Sequence, residues 1–294
     1  MTGAIEESEA LGYELLDAGV RRRLEQFGPL TIDRPAAAAE GFRRDDEAWA
    51  AARLRFDPGP GWSGGAWPAE PWLVEIEGLT LELRPTASGG VGLYPEHAAN
   101  VGWLHAQVRA AASRPGDGDG EGGDGGHPTV LNLFAHTGLT TLALARAGAA
   151  VSHIDGARST VAWARRNAEL SGLGEKPVRW LVDDAATFVA REARRGRRYD
   201  GIVLDPPAFG RGRGREWRLE SDLPGLLTAC RAIATDASFV LLTAHAEGLD
   251  GQALGAMLAG VFGRPPGAVQ MVPLDLDARS GARLPLGWAA RLSR

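Results

Sequence analysis

Residues 130–157 read VLNLFAHTGLTTLALARAGAAVSHIDGA. An apolar run over 130–134 ends in a turn with one glycine, Gly138. A helical pattern follows over 139–147, and a second apolar run over 150–155 stops on an acid, Asp155. Strand, glycine turn, helix, strand and carboxylate open a doubly wound α/β sheet, whose ligands lie at the carboxyl ends of the strands. A dinucleotide loop would need three glycines as GxGxxG, and a phosphate-cradling loop would end in Gly-Lys-Ser/Thr. Neither pattern is present. The expected ligand therefore lacks a pyrophosphate. A single glycine still admits a ligand close to the backbone. Asp155 can accept two hydrogen bonds from a ribose diol. An adenosine with an amino-acid tail and no phosphates meets both conditions, which points to S-adenosylmethionine. The bland alternative is a tight turn and an ordinary cap.

Downstream, apolar strands are expected at 178–182, 201–204, 239–243, 269–274 and 286–290. Helices are expected at 159–170, 185–195, 223–234 and 252–262. Such alternation predicts a mainly parallel sheet covered on both faces. The stretch RWLVDDAATFV (179–189) carries an acidic pair at the end of the third strand. Asp184 is expected to receive an adenine amine, and Asp183 to cap the following helix. The stretch YDGIVLDPPAFGRGRGREW (199–217) delivers Asp205 to the sheet edge. Pro206 and Pro207 then stiffen the backbone and remove two N–H donors. Carbonyls so held can present a planar nucleophile to a methyl sulfonium, and Phe209 can stack on a base. Arg211, Arg213 and Arg215, spaced by glycines before Trp217, form a basic loop suited to phosphates. A solvated loop is the alternative.

Taken together, VLNLFAHTG, HID, VDDA and VLDPPAFGRG resemble the motifs of class I S-adenosylmethionine-dependent methyltransferases. They are most similar to the bacterial group that includes the 23S ribosomal RNA cytosine-5 methyltransferases, over about residues 90–245. The resemblance implies a Rossmann-like methyltransferase fold with a seven-stranded, mostly parallel sheet. It implies that Phe134, Ala135 and Gly138 line the methionine part of the cofactor. Asp155 would meet the ribose and Asp184 the adenine, with Thr137, Gly156, Ala185 and Glu96 among the cofactor-binding positions. Asp205, Pro206, Pro207 and Phe209 would face the target. The implied substrate is RNA, with ribosomal RNA the first choice.

Three features depart from that group. The RNA-binding PUA domain usual at its N-terminus is not recognisable in residues 1–90. Its DQR-like element reads YPEHAAN (94–100) here, with Glu96 and His97 in place of an amide and an arginine. The cysteine expected after strand five is missing, and Ala244 and His245 stand there instead. Carbon 5 of cytosine is a poor nucleophile and is activated by a thiolate added at carbon 6. Cys230, the only cysteine, sits earlier in an apolar helical stretch and reads as a core residue. A nitrogen or oxygen target is therefore expected, with Asp205 or His245 available to orient or deprotonate it. A small-molecule or protein substrate, or a binding protein without catalysis, are the alternatives.

The composition, with 44% hydrophobic and 23% charged residues, is that of an ordinary globular protein. One cysteine excludes an intramolecular disulfide and a cysteine-rich zinc site, and fits the cytoplasm. No metal site is expected. No apolar run is long enough to span a membrane, and no export signal is seen. Residues 1–113 carry a net charge of −7 and residues 128–294 a net +5. Between them, SRPGDGDGEGGDGGHP (113–128) has almost nothing to bury and is expected to be a flexible insertion at 114–127. A β-rich N-terminal region (1–105) and a methyltransferase domain (106–294) are the expected organisation. Within the first, 23–35 reads as strand, and WLVEI and LTLEL around Glu77–Gly78 read as a hairpin. Trp49, Trp62, Trp67 and Trp72 are expected to pack its small core; a base-stacking platform is the minority alternative.

Overall fold

The computed structural model describes residues 11–68, 71–113, 126–211, 216–245 and 250–293. The chain divides into two units, residues 1–98 with 274–286 and residues 99–273 with 287–294. The division thus falls before the expected 105/106 boundary, and a late segment returns to the first unit. The expected insertion lies almost wholly outside the described residues.

The first unit carries a five-stranded sheet in sequence order: β1 (Tyr13–Gly19), β2 (Arg22–Phe27), β3 (Leu30–Pro35), β4 (Leu54–Asp57) and β5 (Gly61–Gly64). A short helix, α1 (Asp46–Ala50), lies between β3 and β4. A separate hairpin joins β6 (Trp72–Ile76) to β7 (Leu79–Leu83). Its two-residue turn holds Glu77 and Gly78 at φ 51° and 68°. Left-handed conformation at both central residues matches the twist of the flanking strands. Trp49 and Trp72 are buried, as a packing role requires, whereas Trp67 is partly exposed with its ring 5.1 Å from Trp62. Ionic groups also lie in this core. Buried Glu25 accepts from Arg34 at 2.6 Å and from the Tyr13 hydroxyl at 3.2 Å. Burial, with Glu25 next to it, pushes the Tyr13 phenol well above its ordinary range.

The second unit holds α2 (Val101–Ala112) and then the alternating elements. These are β8 (Thr129–Leu133), α3 (Leu139–Arg146), β9 (Ala150–Asp155), α4 (Arg158–Leu170), β10 (Val178–Val182) and α5 (Ala185–Arg194). Next come β11 (Tyr199–Leu204), the short β12 (Phe209–Arg211) and β13 (Glu216–Arg218), α6 (Leu219–Ile233) and β14 (Ala234–Ala244). The last elements are α7 (Gly251–Val261) and the strands β15 (Val269–Asp277) and β16 (Arg283–Leu292), of which residues 274–277 and 283–286 belong to the first unit. Seven strands form one sheet in the order β10-β9-β8-β11-β14-β16-β15. The first five run parallel and β16 is antiparallel to β14. This is the Rossmann-like, mostly parallel sheet of the sequence analysis.

The order reverses between β8 and β11, so the ligand crevice is expected where β8, β9 and β11 end. The core below is apolar and close-packed. Leu131, Leu133, Ile202, Leu204, Val240 and Leu242 meet Leu223, Leu227, Cys230 and Ile233 of α6. Helix α6 starts one turn earlier than the expected residue 223. Leu219 is buried and anchors that turn, and the Asp222 carboxylate accepts from the Arg218 N–H at 2.8 Å. Pro224 therefore falls inside the helix rather than in its first turn. Helix α2 was missed, although Val101, Leu104 and Val108 mark one buried face at helical spacing.

Candidate cofactor and target site

After β8 the chain turns sharply through residues 134–138. Phe134, His136 and Gly138 have φ of 56°, 48° and 98°. Left-handed backbone is costly for residues other than glycine and persists only where its surroundings enforce it. Here the enforcement is visible. The Ala135 N–H donates to the Ile154 carbonyl at 3.0 Å, and the His136 N–H to Asp155 Oδ2 at 2.9 Å. Asn167 Nδ2 on α4 donates to the Thr137 carbonyl at 2.9 Å. A Cβ at Gly138 would stand 3.1 Å from the Ala164 Cβ, so both space and φ call for glycine. Gly138 opens α3 without a side-chain cap.

Asp155 ends β9 as expected. Its Oδ1 accepts from the Ala157 N–H at 3.0 Å, and its Oδ2 from His136. Each oxygen keeps lone-pair capacity for a diol. Gly156 follows, with nothing within 4 Å of where a Cβ would lie. Beneath the loop runs a buried polar chain. Asn132 Nδ2 donates to Thr141 Oγ1 at 2.8 Å, which lies 2.9 Å from His153 Nδ1. Burial, and then the nearby His136, lower the His153 pKa to about 3. The imidazole is therefore neutral at ordinary pH.

At the end of β10 the capping role falls on the other member of the acidic pair. Asp184, not Asp183, caps α5, accepting from the Thr187 N–H at 2.9 Å. Asp184 immediately precedes the first helical residue, Ala185, and that is the position from which a carboxylate reaches the third amide. Asp183 instead accepts the Asp184 N–H at 2.9 Å and pairs with Arg191 at 2.7 Å. Capping occupies one Asp184 oxygen and leaves the other for an amine. A cavity of about 470 Å³ is lined by Asp184, Ala186, Thr187, Trp217 and Leu226 among others. That is within the range of sites for small ligands.

At the end of β11, Asp205 is met by two side chains from β14 and the residue after it. Thr243 Oγ1 donates to Asp205 Oδ1 at 2.5 Å, and His245 Nε2 lies 3.3 Å from the same oxygen. Pro206 is buried and Pro207 exposed. The segment beyond is partly a hairpin, β12–β13, where a basic loop was expected. Its Trp217 Nε1 donates to the Pro207 carbonyl at 2.7 Å, and its ring lies 5.3 Å from that of Phe134. This tryptophan thus ties the segment after β11 to the loop after β8. Phe209 is 76% exposed. Arg211 ends β12, while Arg213 and Arg215 lie outside the described residues. Glu96 is buried in the 3-10 turn Pro95–Asn100 and belongs to the first unit.

Cys230 lies in the core on α6, fully buried, and burial pushes its thiol up to about 12. No thiolate forms there at neutral pH. Sequence patterns missed Thr243, Thr141 and Asn132. For Thr243 a signal existed: it stands two residues before His245 in a strand, hence on the same face.

The chain is 32% identical to an S-adenosylmethionine-dependent methyltransferase of known structure from Agrobacterium tumefaciens. The two agree with a TM-score of 0.84 over 96% of this chain and 90% of that one. The chain belongs to the S-adenosylmethionine-dependent methyltransferases. This methyltransferase also shares its fold with SMU.776, solved in complex with SAH, at 17% identity and a TM-score of 0.75 over 99% of this chain and 77% of that one. Among curated proteins it is 30% identical over 146 residues to the ribosomal RNA large subunit methyltransferase I of Shewanella amazonensis. The match covers 49% of this chain and 33% of that protein. It is 39% identical over 80 residues to the ribosomal RNA large subunit methyltransferase K of Neisseria meningitidis, covering 27% of this chain and 23% of that one. The chain thus matches a third or less of the length of these curated relatives. No family model matches it. Among the described residues, no helix is long and apolar enough to cross a membrane.

Proposed function

We propose that this methyltransferase modifies RNA, with large-subunit ribosomal RNA as the first candidate, at a nitrogen or oxygen atom. The observation that carries the reading is the end of β11. There a side-chain-anchored Asp205 and two prolines adjoin an exposed aromatic, Phe209, on the sheet edge where β8 presents its loop. The curated relatives act, by name, on ribosomal RNA. The net +5 over residues 128–294 suits a polyanion.

The residues present fit S-adenosylmethionine. A carboxylate, Asp155, stands where a pyrophosphate would be repelled and a ribose diol welcomed. When bound, the cofactor supplies a methyl group on a sulfonium. Phe134, Ala135, Thr137 and Gly138 would hold its amino-acid part, Asp155 and Gly156 its ribose, and Asp184 and Ala185 its adenine. The carbonyls of Asp205–Pro206–Pro207 would orient the planar target, with Phe209 stacked on a base. Arg211, Arg213 and Arg215 would hold phosphates and position the RNA without reading its sequence. The cytoplasm is the compartment that goes with this reading.

Cells lacking the protein provide the test. Their RNA, proteins and metabolites are each incubated with purified enzyme and radiolabelled S-adenosylmethionine. Label is expected in large-subunit ribosomal RNA. Label confined to a protein or a metabolite would replace the substrate class. The net −7 of residues 1–113 is the feature that favours such a result.

A further inference from the structure

The expected thiol position after strand five holds no thiol, and what stands there is organised. Thr243 and His245 leave the same side of the chain end and converge on one carboxylate oxygen, Asp205 Oδ1, at 2.5 and 3.3 Å. Thr243 is buried, and its hydroxyl also lies 3.2 Å from the Leu204 carbonyl, so the anchor is part of the sheet edge. His245 has its side chain about one-third exposed, at 30%, at the crevice end of the strand. An imidazole that donates Nε2–H to a carboxylate presents Nδ1 as its basic atom. The carboxylate also stabilises the imidazolium once a proton arrives.

We propose that His245 is the proton acceptor of this methyltransferase, held by Asp205 and Thr243, and that the methylated atom carries a hydrogen. The proposal rests on the reading that the end of β11 is the target side. Three classes of acceptor are separated by what they need. A base carbon needs a thiolate, and the one cysteine is buried with its thiol pushed up to about 12. A ring nitrogen with a lone pair and no hydrogen needs no base. An exocyclic amine or a hydroxyl must lose a proton as it bonds to carbon, and that is the class a carboxylate-backed imidazole serves. The target N–H or O–H proton moves to His245 Nδ1. The electron pair left behind forms the bond to the methyl carbon, and the pair of the breaking C–S bond stays on sulfur as a neutral thioether. The imidazolium then returns its proton to water. Asp205 and Thr243 are positioning residues in this scheme, and His245 is the catalytic one.

Wild type, His245→Ala, His245→Gln and Asp205→Asn are compared on the substrate that wild type methylates. Single-turnover rate, cofactor affinity by calorimetry, and the tautomer of His245 by nitrogen-15 NMR are measured. His245→Ala is expected to lose roughly 10²–10⁴-fold in rate, the range for general-base removal, with affinity unchanged. Added imidazole should restore part of that rate in His245→Ala and none in His245→Gln, where the longer side chain fills the gap. His245 should be the Nε2–H tautomer in wild type and lose that preference in Asp205→Asn. The modified nucleoside, identified by mass spectrometry, should bear the methyl group on an amine or a hydroxyl oxygen. A rate within twofold of wild type in both His245 variants overturns the proposal, as does a C-methyl product or an Nδ1–H tautomer. If RNA is untouched and a metabolite or protein is methylated, the substrate reading fails alone. The same variants then decide His245 on that substrate. If nothing is methylated, the NMR tautomer still decides the geometry.

Discussion

Asp155 and Asp205 end the two strands that flank β8, yet they are held in opposite ways. Asp155 accepts two backbone amides, from His136 and Ala157, the second only two residues along the chain. Asp205 is held by side chains, those of Thr243 and His245, 38 and 40 residues later. Backbone amides are present whatever the residue, so the proposed cofactor end is built by the path of the chain. Side-chain partners change with single substitutions, so the proposed target end is open to new chemistry while the fold persists. The histidines repeat the contrast. His153 is buried on a hydroxyl beneath the loop after β8, and His245 is partly exposed beside a carboxylate at the end of β11.

The comparison is broken most directly by exchanging losses between the two acids. Asp205→Ala is expected to lower the methyl-transfer rate about 10³-fold, about 4 kcal/mol of barrier, and to leave cofactor affinity within twofold. Single-turnover kinetics and calorimetry on the same preparation check it. Equal damage to affinity would mean the two ends are one site energetically. Asp155→Ala should do the reverse, weakening cofactor binding by about 2–3 kcal/mol, because hydroxyls lose a charged partner. Its rate at saturating cofactor should be nearly that of wild type. Unchanged affinity by calorimetry would remove the ribose assignment.

The buried imidazole sharpens the contrast through pH. His153 titrates at about 3 in the folded chain and near 6.5 when unfolded. Above pH 6.5 both states are neutral and the group has no effect. Between 6.5 and 3 only the unfolded state takes the proton, so stability falls as pH falls, by up to about 1.4 kcal/mol per unit. From pH 6.5 to 5 the loss is about 2 kcal/mol. His153→Gln should flatten that part of the curve in urea titrations, and a slope equal to wild type would show that His153 is not the group responsible. The smallest effect is expected at the thiol. Cys230→Ser buries a hydroxyl and should cost about 1–2 kcal/mol of stability while methyl transfer persists. Abolished transfer in a folded variant, with a covalent RNA adduct seen only in wild type, would put the thiol in the reaction after all.

What the residues alone determined is what repeats locally. The apolar runs of β8 and β9, the glycine turn and the helix between them follow from periodicities of two and 3.6 over a few residues. Asp155 was legible because it ends such a run, and so was the Glu77–Gly78 turn, which needs two left-handed residues. The roles of Asp183 and Asp184 were not separable, since one residue of helix boundary decides which of them caps. The hairpin of β12 and β13 was read as loop because three-residue strands carry no period. That Thr243 and His245 land on Asp205 was decided only by the parallel pairing of β11 with β14. That pairing brings together residues some forty positions apart. No local pattern records it, because the free energy that selects it comes from burying the whole sheet against its helices rather than from any one stretch of chain.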